Sequence, residues 1–94
     1  MPKSTSAAHS VELFGAPRLL AGVSVAEAAG GTLGELAADL ARRLPALAGP
    51  VLDPDSGWPN SGYCFVVGER FTRDPTLPLI AGIPVILVAS VAGG

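Results

Sequence analysis

Few residues of this 94-residue chain carry reactive chemistry, and most of them stand alone. The one cysteine, Cys64, is a candidate nucleophile, but it lies inside the apolar run Tyr63-Cys64-Phe65-Val66-Val67 with no histidine or acid beside it. A free cysteine in such a setting is a small core side chain by default, and its thiol is inert. The one histidine, His9, falls where a polar leader meets the first apolar alternation, so a solvated imidazole is expected there rather than a catalytic base. Asp53 and Asp55 are too few oxygen ligands for calcium. Trp58 lies within a turn-rich loop and Tyr63 just after it, and anchoring that loop to the core is favoured over an aromatic binding platform. Gly30-Gly31-Thr32 precedes a helix in the manner of an anion site, but no P-loop lysine follows, so it reads as a turn and a cap. What remains is the chain end, Val91-Ala92-Gly93-Gly94. With 12 glycines in 94 residues, an adjacent pair at a given place arises by chance about 1–2% of the time. Glycine pairs are also common in linkers and frayed ends, so the pair alone does not decide between those readings.

Composition narrows the field. The length fits one small domain with one modest core, and leaves no room for a cofactor domain beside a substrate domain. An apolar fraction of 49% against 15% charged residues argues against a disordered chain. A net charge of −2, from six basic and eight acidic residues, gives no electrostatic footprint for nucleic acid. The lone cysteine excludes an intrachain disulfide framework. The first ten residues are small and polar and lack a signal peptide's apolar stretch, so a cytoplasmic protein is expected. No charge follows Asp74, yet Pro75, Pro78, Pro84 and Ala81-Gly82 break the stretch, which argues against a membrane anchor.

The elements that position the chain end follow from periodicity. Residues 1–8 read as a disordered leader. Residues 9–15 alternate as a strand, with Val11 and Leu13 on one face and Glu12 and Phe14 on the other. Ala16-Pro17 breaks it, and residues 22–28 alternate again, which predicts a hairpin. Thr32-Leu33-Gly34-Glu35 is a capping box: the threonine oxygen accepts a helix amide while Glu35 reaches back to the amide of Thr32. Leu33, Leu36, Ala37, Leu40, Ala41 and Leu44 then form one helical stripe, with Glu35, Asp39, Arg42 and Arg43 outside it. Asp39 is spaced to pair with Arg43, and Pro45 stops the helix. A short helical turn is expected at 46–52, a turn-rich loop at 53–62, and a strand at 63–67. A hairpin turn at Gly68-Glu69 leads into 70–72, and a last strand covers 84–89. Strands on either side of one long helix give an α+β domain over 9–89 with the helix across a mixed sheet, followed by a flexible tail at 90–94.

This order of elements, with the glycine pair at the end, resembles the ubiquitin-like sulfur carriers of the MoaD/ThiS family. Val11-Glu12-Leu13-Phe14 is similar to the family's first strand, and Arg18-Leu19-Leu20-Ala21-Gly22 to its Arg-x-Leu-x-Gly turn. Gly31-Thr32-Leu33-Gly34-Glu35-Leu36 is similar to the start of its helix, and Val91-Ala92-Gly93-Gly94 closes the chain as in family members. The likeness covers residues 9–94. It implies a β-grasp fold, a mixed sheet of four to five strands on one main helix. The chain departs from the pattern ahead of its last strand, where Ala81-Gly82-Ile83-Pro84 stands in place of an acidic turn, and Ala89-Ser90 in place of a proline-containing segment.

The resemblance also implies a function. An E1-like adenylating enzyme would use ATP to activate Gly94, and sulfur would then displace AMP to leave a thiocarboxylate. A sulfur-accepting biosynthetic enzyme would take that sulfur, for molybdenum cofactor, cysteine, thiolated tRNA or a secondary metabolite. Gly93 would supply clearance in a narrow channel, where a side chain would clash. The resemblance further implies partner docking through an apolar patch, for which Phe14, Val88, Val91 and Ala92 are the candidates. The chain would be a carrier and co-substrate rather than an enzyme, holding no cofactor and contacting neither nucleic acid nor membrane. The alternative is a non-covalent β-grasp interaction module.

Overall fold

A computed structural model describes residues 8–89. Strand β1 (Ala8–Leu13) buries His9, Val11 and Leu13 and exposes Ala8, Ser10 and Glu12. His9 is therefore not solvated: the alternation that puts Val11 and Leu13 inside extends two residues further back, leaving the imidazole 4% exposed.

Ala16-Pro17 does not simply break the chain; it opens a short helix, α1 (Ala16–Ala21). Pro17 sits in the first turn, where a missing N–H leaves no intrahelical bond unmade. Gly22 ends the helix at φ +77°, a left-handed conformation that lets its N–H donate to the Arg18 carbonyl at 2.9 Å. The expected second strand is correspondingly shorter. It runs as β2 (Val25–Ala29), antiparallel to β1, with register from Ala8 opposite Ala29 to Glu12 opposite Val25.

Helix α2 (Leu33–Arg43) buries Leu33, Leu36, Ala37 and Leu40 against the sheet, with Ala41 and Leu44 packed at the edge. Thr32 Oγ1 accepts the Glu35 N–H at 3.3 Å. The reciprocal bond falls one residue earlier than the capping box predicts: Glu35 Oε1 accepts the N–H of Gly31, at 2.8 Å. Asp39 pairs with Arg43 as its spacing predicts. It is buried, only 7% exposed, because its carboxylate accepts the Ala29 N–H of β2 at 2.8 Å and tethers helix to strand.

Residues 46–52 form successive hydrogen-bonded turns, as the Val51 N–H to Leu47 carbonyl shows, and they drive Leu47, Val51 and Leu52 fully into the core. In the loop that follows, the Asp53 carboxylate accepts the N–H groups of Asp55 and Ser56 at 3.0 and 2.8 Å. The loop lies over α2, where Gly57 comes so close that a Cβ would stand 2.5 Å from Ala38 Cα. Trp58 anchors it, with its ring 5.9 Å from that of Phe65.

Strands β3 (Tyr63–Val67) and β4 (Arg70–Thr72) form the expected hairpin about Gly68-Glu69, and β5 (Val85–Ala89) completes the sheet. The strand order is β2-β1-β5-β3-β4, with β5 parallel to β1 and antiparallel to β3. The sheet is mixed, five-stranded and covered on one face by α2, which is the α+β architecture the element order predicts. Val11, Leu13, Phe65, Val67, Val85 and Leu87 face the helix and form the core with it.

Candidate functional site

The site is built at one end of β5. This strand lies between β1 and β3, with Val11, Glu12 and Leu13 paired on one side and all five β3 residues on the other. Its last residue, Ala89, pairs with Tyr63. The proposed reactive end, Gly93 and Gly94, and the candidate docking residues Val91 and Ala92, lie outside the described residues.

Phe14 and Val88 do come together. The Phe14 N–H donates to the Leu87 carbonyl at 3.2 Å, which in a parallel ladder sets Phe14 level with Val88. Both follow the parity of the face turned away from α2. Phe14 is 46% exposed and Val88 half-buried, so neither the helix nor the loop hides the aromatic ring.

Register extends this face across the sheet. Cys64 stands opposite Val88, Ile86 is flanked by Glu12 and Val66, and Val66 stands opposite Phe71. Glu12 stands opposite Val25 in turn. The outer face is thus an apolar band from Val25 to Phe71, interrupted by the carboxylate of Glu12. Val66, Phe71 and Ile86 were not legible as part of it, because only strand pairing, not strand sequence, puts them in one row. Cys64 is buried at its centre and free, as its apolar run predicts.

The segment from α1 to β2 adds a second exposed apolar group, Leu19, Leu20, Val23 and Val25. Arg18, Leu19, Gly22, Val23, Ser24 and Val25 line an open groove of about 620 Å³ there.

The electrostatics of the described residues serve the fold. Burial opposes ionisation of Asp39, but the Ala29 N–H, Arg43 Nε at 2.7 Å and the Arg42 guanidinium outweigh it and hold the carboxyl below its ordinary value. The Ser56 N–H and hydroxyl, then the Asp55 N–H, lower Asp53. Among the described residues no group of three or more His, Cys, Asp or Glu could hold a metal ion. No helix there is long and apolar enough to cross a membrane.

Solved structures match this arrangement over nearly the whole chain. The crystal structure of small archaeal modifier protein 1 from Haloferax volcanii superposes with a TM-score of 0.77 at 22% identity, covering 94% of this chain and 100% of that one. The solution structure of small archaeal modifier protein 1 from Methanosarcina acetivorans gives 0.79 at 17% identity, over 97% and 100%. The Haloferax volcanii HVO 2177 protein gives 0.75 at 19%, over 100% and 92%. The fold is the ubiquitin-like β-grasp. No protein-family model and no curated protein matches the chain.

Proposed function

We propose that this β-grasp chain is a sulfur carrier whose reactive group is the carboxyl of Gly94. An E1-like adenylating enzyme joins that carboxylate to the α-phosphorus of ATP and releases pyrophosphate. A sulfide-level nucleophile then attacks the acyl carbon, the bond to AMP breaks, and a thiocarboxylate remains for a sulfur-accepting biosynthetic enzyme. ATP is bound and consumed by the activating partner; the chain itself brings no cofactor. The observation that carries this reading is that the strand leading to Gly93-Gly94 is held between two neighbours, while an apolar face begins at its exit with Phe14 and Val88. A body fixed to that strand can dock by the face and present a slim extension of five residues, at most about 18 Å long. The likeness to proteins described as small archaeal modifiers agrees with a reactive chain end.

Intact-mass measurement tests the proposal. Protein produced beside its activating enzyme should gain the mass difference between a sulfur and an oxygen atom, located at Gly94 by fragmentation. No gain with an active partner refutes the carrier reading. The open sheet face would equally serve a non-covalent interaction module, and deletion of Gly93-Gly94 separates the two. A carrier loses all function, whereas an interaction module keeps its binding.

A further inference from the structure

The free edge of β2 is a surface that the carrier reading leaves unused. The Leu13 N–H donates to the Ser24 carbonyl at 2.8 Å, which fixes the alternation of the β1–β2 ladder. Ser24, Ala26 and Ala28 turn their backbone groups to β1, and Val25, Glu27 and Ala29 turn theirs outward. Asp39 occupies the Ala29 N–H. The N–H and C=O groups of Val25 and Glu27 have no partner among the described residues, so the edge presents two donors and two acceptors in extended geometry. The opposite edge is poorer. On β4 only Phe71 turns outward, and Arg70 and Arg73 flank it.

We propose that two copies of the chain pair through β2, antiparallel about a two-fold axis at Ala26. In this register Val25 bonds the partner subunit's Glu27, and all four backbone groups free on Val25 and Glu27 are used. The neighbouring register fails twice over: it sets Glu27 against its own copy, and it asks Val25 to bond Ala29, whose N–H is already taken. Charge and apolar surface fit the same symmetry. Four of the seven large hydrophobics exposed among the described residues, namely Leu19, Leu20, Val23 and Val25, cluster at the Val25 end of this edge. Arg18 lies among them with no ion pair among the described residues. At the Ala29 end Asp39 is neutralised by Arg42 and Arg43, and the carboxylates left without an ion pair among the described residues are those of Glu27 and Glu35. A two-fold axis through Ala26 brings the apolar end of one copy, with Arg18, toward Glu27 and Glu35 of the partner subunit, an isologous interface. Paired this way, the two five-stranded sheets join into one of ten strands.

Sedimentation equilibrium up to about 1 mM protein tests the pairing, since weak associations assemble in that range. The expected result is a mass rising from that of one chain toward twice that value. Amide exchange at Val25 and Glu27 should slow with concentration, while exchange at Phe71 stays constant. Val25→Pro removes an outward N–H that the β1 ladder does not use, and should leave a folded monomer. Arg18→Glu places an acid toward Glu27 and Glu35 of the partner subunit and should weaken pairing at least roughly tenfold. A chain that stays monomeric throughout overturns the proposal, as does one whose β2 edge accepts only a strand from a different protein. A dimer with unprotected Val25 and Glu27 amides, or one indifferent to both substitutions, overturns it as well.

Discussion

Asp39 joins helix to strand, since one carboxylate receives the N–H of Ala29 on β2 and the guanidinium groups of Arg42 and Arg43 on its own helix. The Arg43 pair was legible from its spacing of four. The Ala29 bond was not, because ten residues and a chain reversal separate the two. Asp39→Ala strands a strand amide and should cost about 1–3 kcal/mol in urea unfolding at neutral pH. The sign of its pH dependence follows from the lowered folded value. The stabilisation is present above the ordinary value of 3.8 and is lost as pH falls through the lower folded one. Wild type and Asp39→Ala should therefore converge in acid below about pH 4, as unfolding curves across that range would show. Gly57 is the second residue under constraint, at φ +80° with Ala38 against it. Gly57→Ala should cost at least about 2 kcal/mol by the same assay, combining a strained backbone with a clash.

Among the elements, β1 and α2 were legible from their periods, β3 and β5 from short apolar runs bounded by turn residues, and β4 from the hairpin turn that precedes it. The segment between β1 and β2 was not. Ala16-Pro17 signals a break and a helix start equally well, and the α1 that forms is too short to show a helical stripe. The register of β1 against β5 is what gives Phe14 its neighbour, and it sets an expectation for binding. Phe14→Ser should weaken association with the activating enzyme roughly thirtyfold, about 2 kcal/mol, as for an aromatic anchor at an interface centre. Its thermal midpoint should barely move, because the ring is 46% exposed. Calorimetric titration alongside a melting curve checks both. A single residue appended after Gly94 should abolish adenylation, followed as pyrophosphate release, and leave that association intact.

For the whole molecule, the sequence dictated a helix packed on a mixed sheet but not which side of the sheet would be left open. Alternation along a strand says that two faces differ; it does not say which of them the helix takes. Here the faces are nearly matched in apolar character, since Phe14, Val25, Val66, Ile86 and Val88 stand on the open side and Val11, Leu13, Phe65, Val85 and Leu87 on the closed one. His9 shows the same ambiguity at a single position. It has the parity of the core face, and its two ring nitrogens are buried without a partner among the described residues.

The central place of β5 has a mechanical consequence. On the carrier reading an activating enzyme draws on the chain end, and a pull parallel to β5 is met by ladders on both flanks. Those hydrogen bonds are loaded together in shear instead of being peeled one at a time. The body should thus withstand repeated capture and release of its own terminus, whereas a terminus leading from an edge strand such as β4 would unravel under the same pull.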